Sequence, residues 1–252
     1  MSIGERSGWT ACKGPSRSSR GKAARFRATI RFPKLSAFPR IIARLRRVFD
    51  LAADPDAIAV QLRKDPALEP LVAARPGLRV PGAWDGFELA VRAVLGQQLT
   101  VPGAIRLAGK LVMRFGEPLR DADPILTHIF PEPSVLAGAD LSTMGMPRSR
   151  AVALSAVAAA VAADPDMFAA GRGLEEAVAR LRALPGIGEW TAQYIAMRQL
   201  REPDVFPAAD VGLMRAMADL DGNRPSTSEL LARAERWRPW RAYAAQHLWA
   251  SA

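Results

Sequence analysis

The chain has 252 residues, 49% apolar and 24% charged, the balance of a folded globular protein and not of a disordered one. One cysteine, Cys12, excludes a disulfide framework, a cysteine zinc site and a cysteine-ligated iron–sulfur cluster, and two histidines, His128 and His247, leave little for metal chemistry. No apolar run reaches the ~18 residues that a membrane span needs, while a net charge of +10 points towards nucleic acid.

That charge is not evenly spread. Residues 1–50 hold 13 Lys/Arg against the two acids Glu5 and Asp50, whereas residues 51–252 hold 22 against 23. Residues 1–36 are rich in Ser, Gly, Arg and Lys without a sustained apolar period, and read as a basic tail of low order. Within them only Ala28 to Phe32 (ATIRF) alternates like a strand.

Beyond the tail, helix follows helix. Pro39 to Phe49 places Ile41, Ile42, Leu45, Val48 and Phe49 at helical spacing. Asp54 is an N-cap for the next helix, and Ala67 to Ala74 forms a short one that Pro76-Gly77 stops. Further helices are predicted over Trp84–Leu95, Pro102–Phe115, Pro133–Ala137, Arg148–Ala163, Leu174–Leu184, Glu189–Leu200, Val211–Leu220, Ser226–Arg236 and Pro239–Trp249. The expectation is an all-α protein of about ten helices. Residues 37–82 lead in, and residues 83–252 form the body.

The most informative stretch runs from Leu181 to Arg215. A helix ends at Leu184, Pro185-Gly186-Ile187-Gly188 makes a tight turn, and a second helix opens at Glu189. Pro185 cannot extend the first helix, and Gly186 and Gly188 permit positive φ and close approach of another backbone. Free amides at the start of the second helix favour an anion, a way to grip a DNA phosphate without a basic side chain. Taken alone, the turn serves equally as an αα-corner that needs glycine for packing. Twenty residues past Trp190 stands Asp210, among the uncharged Pro207, Ala208, Ala209, Val211, Gly212 and Leu213. It is either a plain N-cap or a carboxylate held in a low-dielectric cleft, where it would stabilise a developing cation.

Together, L-P-G-I-G-x-W-T-A, the 20-residue gap and D-x-x-L-x-R resemble the helix–hairpin–helix glycosylase superfamily. Gly86–Val101, Gly145–Leu154 and Glu235–Trp249 resemble its alkylated-base branch, DNA-3-methyladenine glycosylase II, and the likeness covers roughly residues 38–250. The resemblance implies the superfamily's helical fold, with ATIRF and the helix from Pro39 as a remnant of an N-terminal mixed α/β domain. The short front reads as a truncated gene product, a misplaced start or the separated tail of a fusion.

The resemblance also assigns roles. Asp210 is the catalytic carboxylate; Trp190, Tyr194 and Trp249 line the base pocket; Pro185, Gly186, Ile187, Gly188 and Thr191 form the DNA-phosphate hairpin; Gln98, with Gln97 as competitor, is the wedge that fills the gap left by a flipped base. For each aromatic the alternative is core packing. Superfamily members that also cut the strand carry a lysine where this chain has Trp190, so the implied enzyme is a monofunctional N-glycosylase that leaves an abasic site. N-alkylated purines are cationic and leave readily, which asks for no general acid, and electron-rich aromatic faces attract them. The implied partner is double-stranded DNA containing alkylated bases, and the implied setting is a monomer at the nucleoid in bacterial cytoplasm. No cofactor is required and no metal-ligand set is present, although the superfamily's hairpin can hold a monovalent cation on backbone carbonyls. Rival expectations are a non-catalytic DNA-binding remnant of the fold and a glycosylase for deaminated or oxidised bases. Two departures bear on substrate range: Val211 stands where the family often has tyrosine, and Ala209 where it often has a second acid.

Overall fold

Twelve α-helices are present among the described residues of the computed structural model, which are 27–30, 32–119, 126–168, 173–218 and 222–251. They are α1 (Phe38–Val48), α2 (Pro55–Leu62), α3 (Glu69–Ala74), α4 (Gly86–Gly96), α5 (Val101–Phe115), α6 (Pro133–Ala137), α7 (Arg148–Ala163), α8 (Leu174–Arg182), α9 (Glu189–Ile195), α10 (Val211–Ala216), α11 (Thr227–Ala234) and α12 (Arg241–Ser251). Five of the twelve start at a side-chain cap. Asp54 accepts from the amides of Asp56 and Ala57, Asp85 from Glu88, and Thr100 from Gly103. Ser226 and Glu229 close a reciprocal capping box at the head of α11.

α4 is the hub. Its Phe87, Ala90, Val91, Ala93, Val94 and Leu95 are all buried, and it packs on α5, α7 and α9. A helix apolar around most of its circumference has no stable place except the interior. Around it close Leu111 of α5, Leu136 of α6, Leu154 and Val157 of α7, and Ile195 of α9, in one continuous core. Two buried carboxylates tie the lead-in helices to the body. Asp50 accepts from the Tyr243 hydroxyl at 2.8 Å and the Val80 amide at 3.2 Å, and pairs with Arg201. Asp65 accepts from Trp237 Nε1 at 2.9 Å, Arg233 at 3.2 Å and the Ala67 amide at 2.9 Å. Burial alone would raise the Asp65 carboxyl; these donors outweigh it and hold it below the ordinary carboxylate range.

Several elements differ from the sequence expectation. Ala28, Thr29, Ile30 and Phe32 carry no strand pairing, and Arg31 and residues 1–26 lie outside the described residues. A strand needs a neighbour, and none stands beside this segment among the described residues. Instead Glu117–Pro118 (β1) pairs antiparallel with His128–Ile129 (β2), two-residue strands too short to leave an alternation. His128, for which the sequence offers no partner, lies 2.9 Å from the Thr127 hydroxyl. The helix predicted over Glu189–Leu200 changes pitch: α9 ends at Ile195 and a π-helical turn runs over Ala196–Leu200. The helix from Val211 ends at Ala216. Residues 219 and 220 of its predicted span lie outside the described residues.

Candidate active site

The hairpin joins α8 to α9. Ile187 is buried and pins the turn to the core, while Pro185, Gly186 and Gly188 are exposed. Its two glycines answer different demands. Gly186 has φ +77°, and a Cβ there would lie 2.5 Å from the Ala153 Cβ of α7. Both the backbone conformation and the packing therefore require glycine. Gly188 has φ −83° and nothing within 4 Å of an added Cβ. Positive φ, which both glycines permit, is adopted at Gly186 alone; the space beside Gly188 is free. The amides of Glu189, Trp190 and Thr191, in the first turn of α9, have no acceptor within their own helix. Glu189 is drawn aside by Arg182 at 3.0 Å and Gln193 at 2.7 Å.

Thr191 is buried and points inward. Its Oγ1 accepts from Gln97 Nε2 at 2.9 Å, and the same nitrogen donates to the Gly186 carbonyl at 3.1 Å. The buried Arg150, from the start of α7, donates to the Gln97 carbonyl. Gln97 thereby fastens the loop between α4 and α5 to the hairpin. Gln98, next along, is exposed and adopts φ +55°, a conformation that side chains seldom take up. Of the two candidate wedge residues, Gln97 is engaged internally and Gln98 projects outward.

Asp210 caps α10 and does more than cap it. Oδ1 accepts from the Leu213 amide at 2.9 Å and from Trp249 Nε1 at 2.9 Å, and Oδ2 accepts from Trp190 Nε1 at 2.7 Å. Three donors from three helices fix both oxygens of a half-buried carboxylate. Trp190, Asp210 and Trp249, 59 residues apart at the extremes, are therefore brought to one point. Tyr194 stacks on Trp190 at 5.3 Å and 14° between planes, as their i, i+4 spacing predicts. The loop before Asp210 is held by buried Val205 and Phe206 and by Arg241, whose Nε donates to the Asp204 carboxylate at 2.8 Å. Ala209 and Val211, which flank Asp210, are both exposed.

Two participants are absent from the residues singled out by sequence. Gly212 approaches the carboxylate so closely that a Cβ would lie 2.9 Å from Asp210 Oδ1 and 3.4 Å from the Trp249 ring. Arg198 sets its guanidinium over Tyr194 at 5.5 Å and over Trp249 at 5.6 Å. The continuing four-residue step Trp190, Tyr194, Arg198 was the available signal for the second; for Gly212 the signal was its place two residues after the acid. His247 is buried away from this cluster, its Nδ1 unpartnered, and burial lowers its imidazole below the ordinary range.

No group of three or more His, Cys, Asp or Glu side chains able to hold a metal is found among the described residues, and no helix among them is long and apolar enough to cross a membrane. The hairpin carbonyls of Leu184, Gly186 and Gly188 accept from Ile187, Gln97 and Ala192 respectively. A carbonyl oxygen so engaged keeps a second lone pair.

Residues 91–242 match the HhH-GPD superfamily base excision DNA repair protein family, and residues 2–85 match the AlkA N-terminal domain, whose span begins within the stretch read above as a tail. The chain is 44% identical over 207 residues to the probable bifunctional transcriptional activator/DNA repair enzyme AlkA of Mycobacterium tuberculosis, covering 82% of this chain but 42% of that relative. It thus spans less than half the length of that protein. It is 37% identical over 211 residues to DNA-3-methyladenine glycosylase 2 of Escherichia coli, covering 82% of this chain and 70% of that one. The solved 3-methyladenine DNA-glycosylase from Archaeoglobus fulgidus superposes with a TM-score of 0.75 at 24% identity, over 88% of this chain and 77% of that one, and so shares its fold. A hairpin, a clamped aspartate and an aromatic wall, on a chain with these relatives, lead to one conclusion: the chain belongs to the HhH-GPD superfamily of base excision DNA repair proteins.

Proposed function

We propose that the protein is a monofunctional DNA glycosylase that removes alkylated purines, of the 3-methyladenine and 7-methylguanine type, from double-stranded DNA. The observation that carries this reading is Asp210, fixed by Trp190, Trp249 and Leu213 on the wall of an aromatic cluster. The free amides of the hairpin take a backbone phosphate, and Gly188 leaves the approach open. Gln98 enters the space vacated by the flipped nucleotide. Trp190, backed by Tyr194, and Trp249 present aromatic faces to the extruded base.

Chemistry follows from the charge of the lesion. Breaking the C1′–N bond of a cationic purine sends the electron pair to the base, which leaves neutral, and moves positive charge to the sugar. Asp210 stabilises that charge electrostatically, and accepts a proton from the water that adds to C1′. Trp190 occupies the place from which a lysine would form a Schiff base, so the strand stays intact and the product is an abasic site. No cofactor enters these steps. A monovalent cation on the hairpin carbonyls would reinforce the phosphate grip and leave the bond cleavage unaltered. Action as a monomer in bacterial cytoplasm, at the nucleoid, is part of the same proposal.

The test is a duplex carrying one 7-methylguanine. The reading expects free base and a strand that breaks only after hot alkali; a strand broken without alkali, or no release from methylated duplex DNA at all, contradicts it.

A further inference from the structure

The cation that rests on the pocket aromatics has no carboxylate partner among the described residues. Arg198 stands one turn beyond Tyr194, so Trp190, Tyr194 and the guanidinium form a column along one helix, and the same guanidinium lies over Trp249. Its Nη1 donates to the Pro81 carbonyl at 3.1 Å, its Nε is buried without a partner, and no carboxylate among the described residues lies within ion-pair range. The π-helical turn Ala196–Leu200 carries it. Such turns recur at functional sites because they shift a side chain off the regular register. Trp249 touches both charges: Arg198 over its ring and Asp210 on its indole nitrogen.

A fixed positive charge in a half-buried site acts on every base that enters. An aromatic ring that already holds one cation attracts a second one less. A cationic base therefore meets repulsion while bound, and sheds it when the C1′–N bond breaks and the electron pair makes the base neutral. A neutral base meets no repulsion when bound. It gains negative charge as the bond breaks, and Arg198 then attracts it.

We propose that Arg198 is a specificity-determining residue that weakens capture of cationic bases and assists departure of neutral ones, widening the substrate class towards uncharged lesions such as a deaminated purine. This inference rests on the glycosylase reading. It separates ground-state from transition-state effects in opposite ways for the two classes.

The experiment compares wild type, Arg198→Gln and Arg198→Lys on duplexes carrying either 7-methylguanine or hypoxanthine. In Arg198→Gln, KM and kcat for 7-methylguanine fall together, leaving kcat/KM near the wild-type value. For hypoxanthine, KM is unchanged and kcat/KM falls on the order of tenfold, the effect of about half a unit charge developing roughly 6 Å from the guanidinium at an effective dielectric near 20. Arg198→Lys, which keeps the charge, retains the wild-type ratio of the two kcat/KM values. Equal proportional losses on both substrates, or no change on either, overturn the inference and leave the glycosylase reading standing. If Arg198→Gln fails to fold, a shifted ratio in Arg198→Lys overturns it just as well. Wild type that releases 7-methylguanine but no hypoxanthine overturns the inference and leaves the glycosylase reading standing. Wild type that releases neither base defeats both the glycosylase reading and this inference.

Discussion

Asp210 works through its neighbours, and each neighbour makes a separable contribution. Trp249→Phe keeps a ring over Arg198 but loses the N–H that holds Oδ1. A hydrogen bond to a charged group contributes about 1.5–3 kcal/mol, so base release by Trp249→Phe should fall roughly 10- to 100-fold. Gly212→Ala puts a methyl group against the same oxygen, at 2.9 Å before any relaxation. Displacing a reacting group by about 1 Å can cost on the order of 100-fold in rate. Single-turnover release by Gly212→Ala should drop by about that much while binding to abasic-analogue DNA persists; a normal rate would mean that the carboxylate has room to move. The sequence alone left Asp210 as either a plain cap or a cleft carboxylate; it caps α10, with Oδ1 accepting from Leu213, but it is not a plain cap, since both oxygens also accept from indoles. What no spacing could reveal is the pair of indole donors, one 20 residues before and one 39 after, because nothing local brings them together.

Among elements, the hairpin sets its two glycines unlike tasks: the fold requires Gly186, and Gly188 is left open for the proposed phosphate contact. Gly186→Ala meets both positive φ and the Ala153 methyl, and should destabilise the protein by about 1–3 kcal/mol. Gly188→Val meets nothing at its Cβ and loses only N-cap preference, so it should cost less stability than Gly186→Ala while weakening DNA binding broadly, in whatever sequence context. Equal melting temperatures for the two variants would contradict this division. The turn itself was legible because Pro and Gly act through the backbone. The assignment of Thr191 to the phosphate grip was less so: its hydroxyl turns inward to Gln97, and a partner 94 residues away leaves no local trace. The π turn was equally hidden, since AMRQL reads as ordinary helix; its buried Met197 and Gln199 sit where the turn packs on α4 and α8, contacts that leave no local trace. Helix positions, by contrast, were mostly readable from capping residues and apolar period, from Asp54 to Ser226.

Across the whole molecule, charge and stability have different addresses. The positive excess lies in residues 1–50, and the rest of the chain is close to neutral. Deleting residues 1–35 should therefore flatten the dependence of DNA affinity on salt, since fewer counterions are released on binding, yet leave base release in place. An unchanged salt slope would show that the body supplies the phosphate contacts. Stability carries a mark of its own at His247. Burial lowers its imidazole, so the folded chain keeps it neutral where the unfolded chain takes up a proton. Its contribution is whole above the unfolded value of about 6.5 and is lost as pH falls from there towards the lower folded value. The melting temperature should drop between pH 7.5 and 5.5, and His247→Gln should flatten that drop; an identical slope in the variant would assign it to other groups.

If one carboxylate, held by two indoles, breaks the glycosidic bond, its loss must show in single-turnover release of 3-methyladenine and 7-methylguanine from methylated duplex DNA, by wild type and by Asp210→Asn at equal protein concentration. Wild type should release both bases and Asp210→Asn should release them at least roughly 100-fold more slowly, with binding to abasic-analogue DNA retained. Equal rates of release from the two proteins would contradict it.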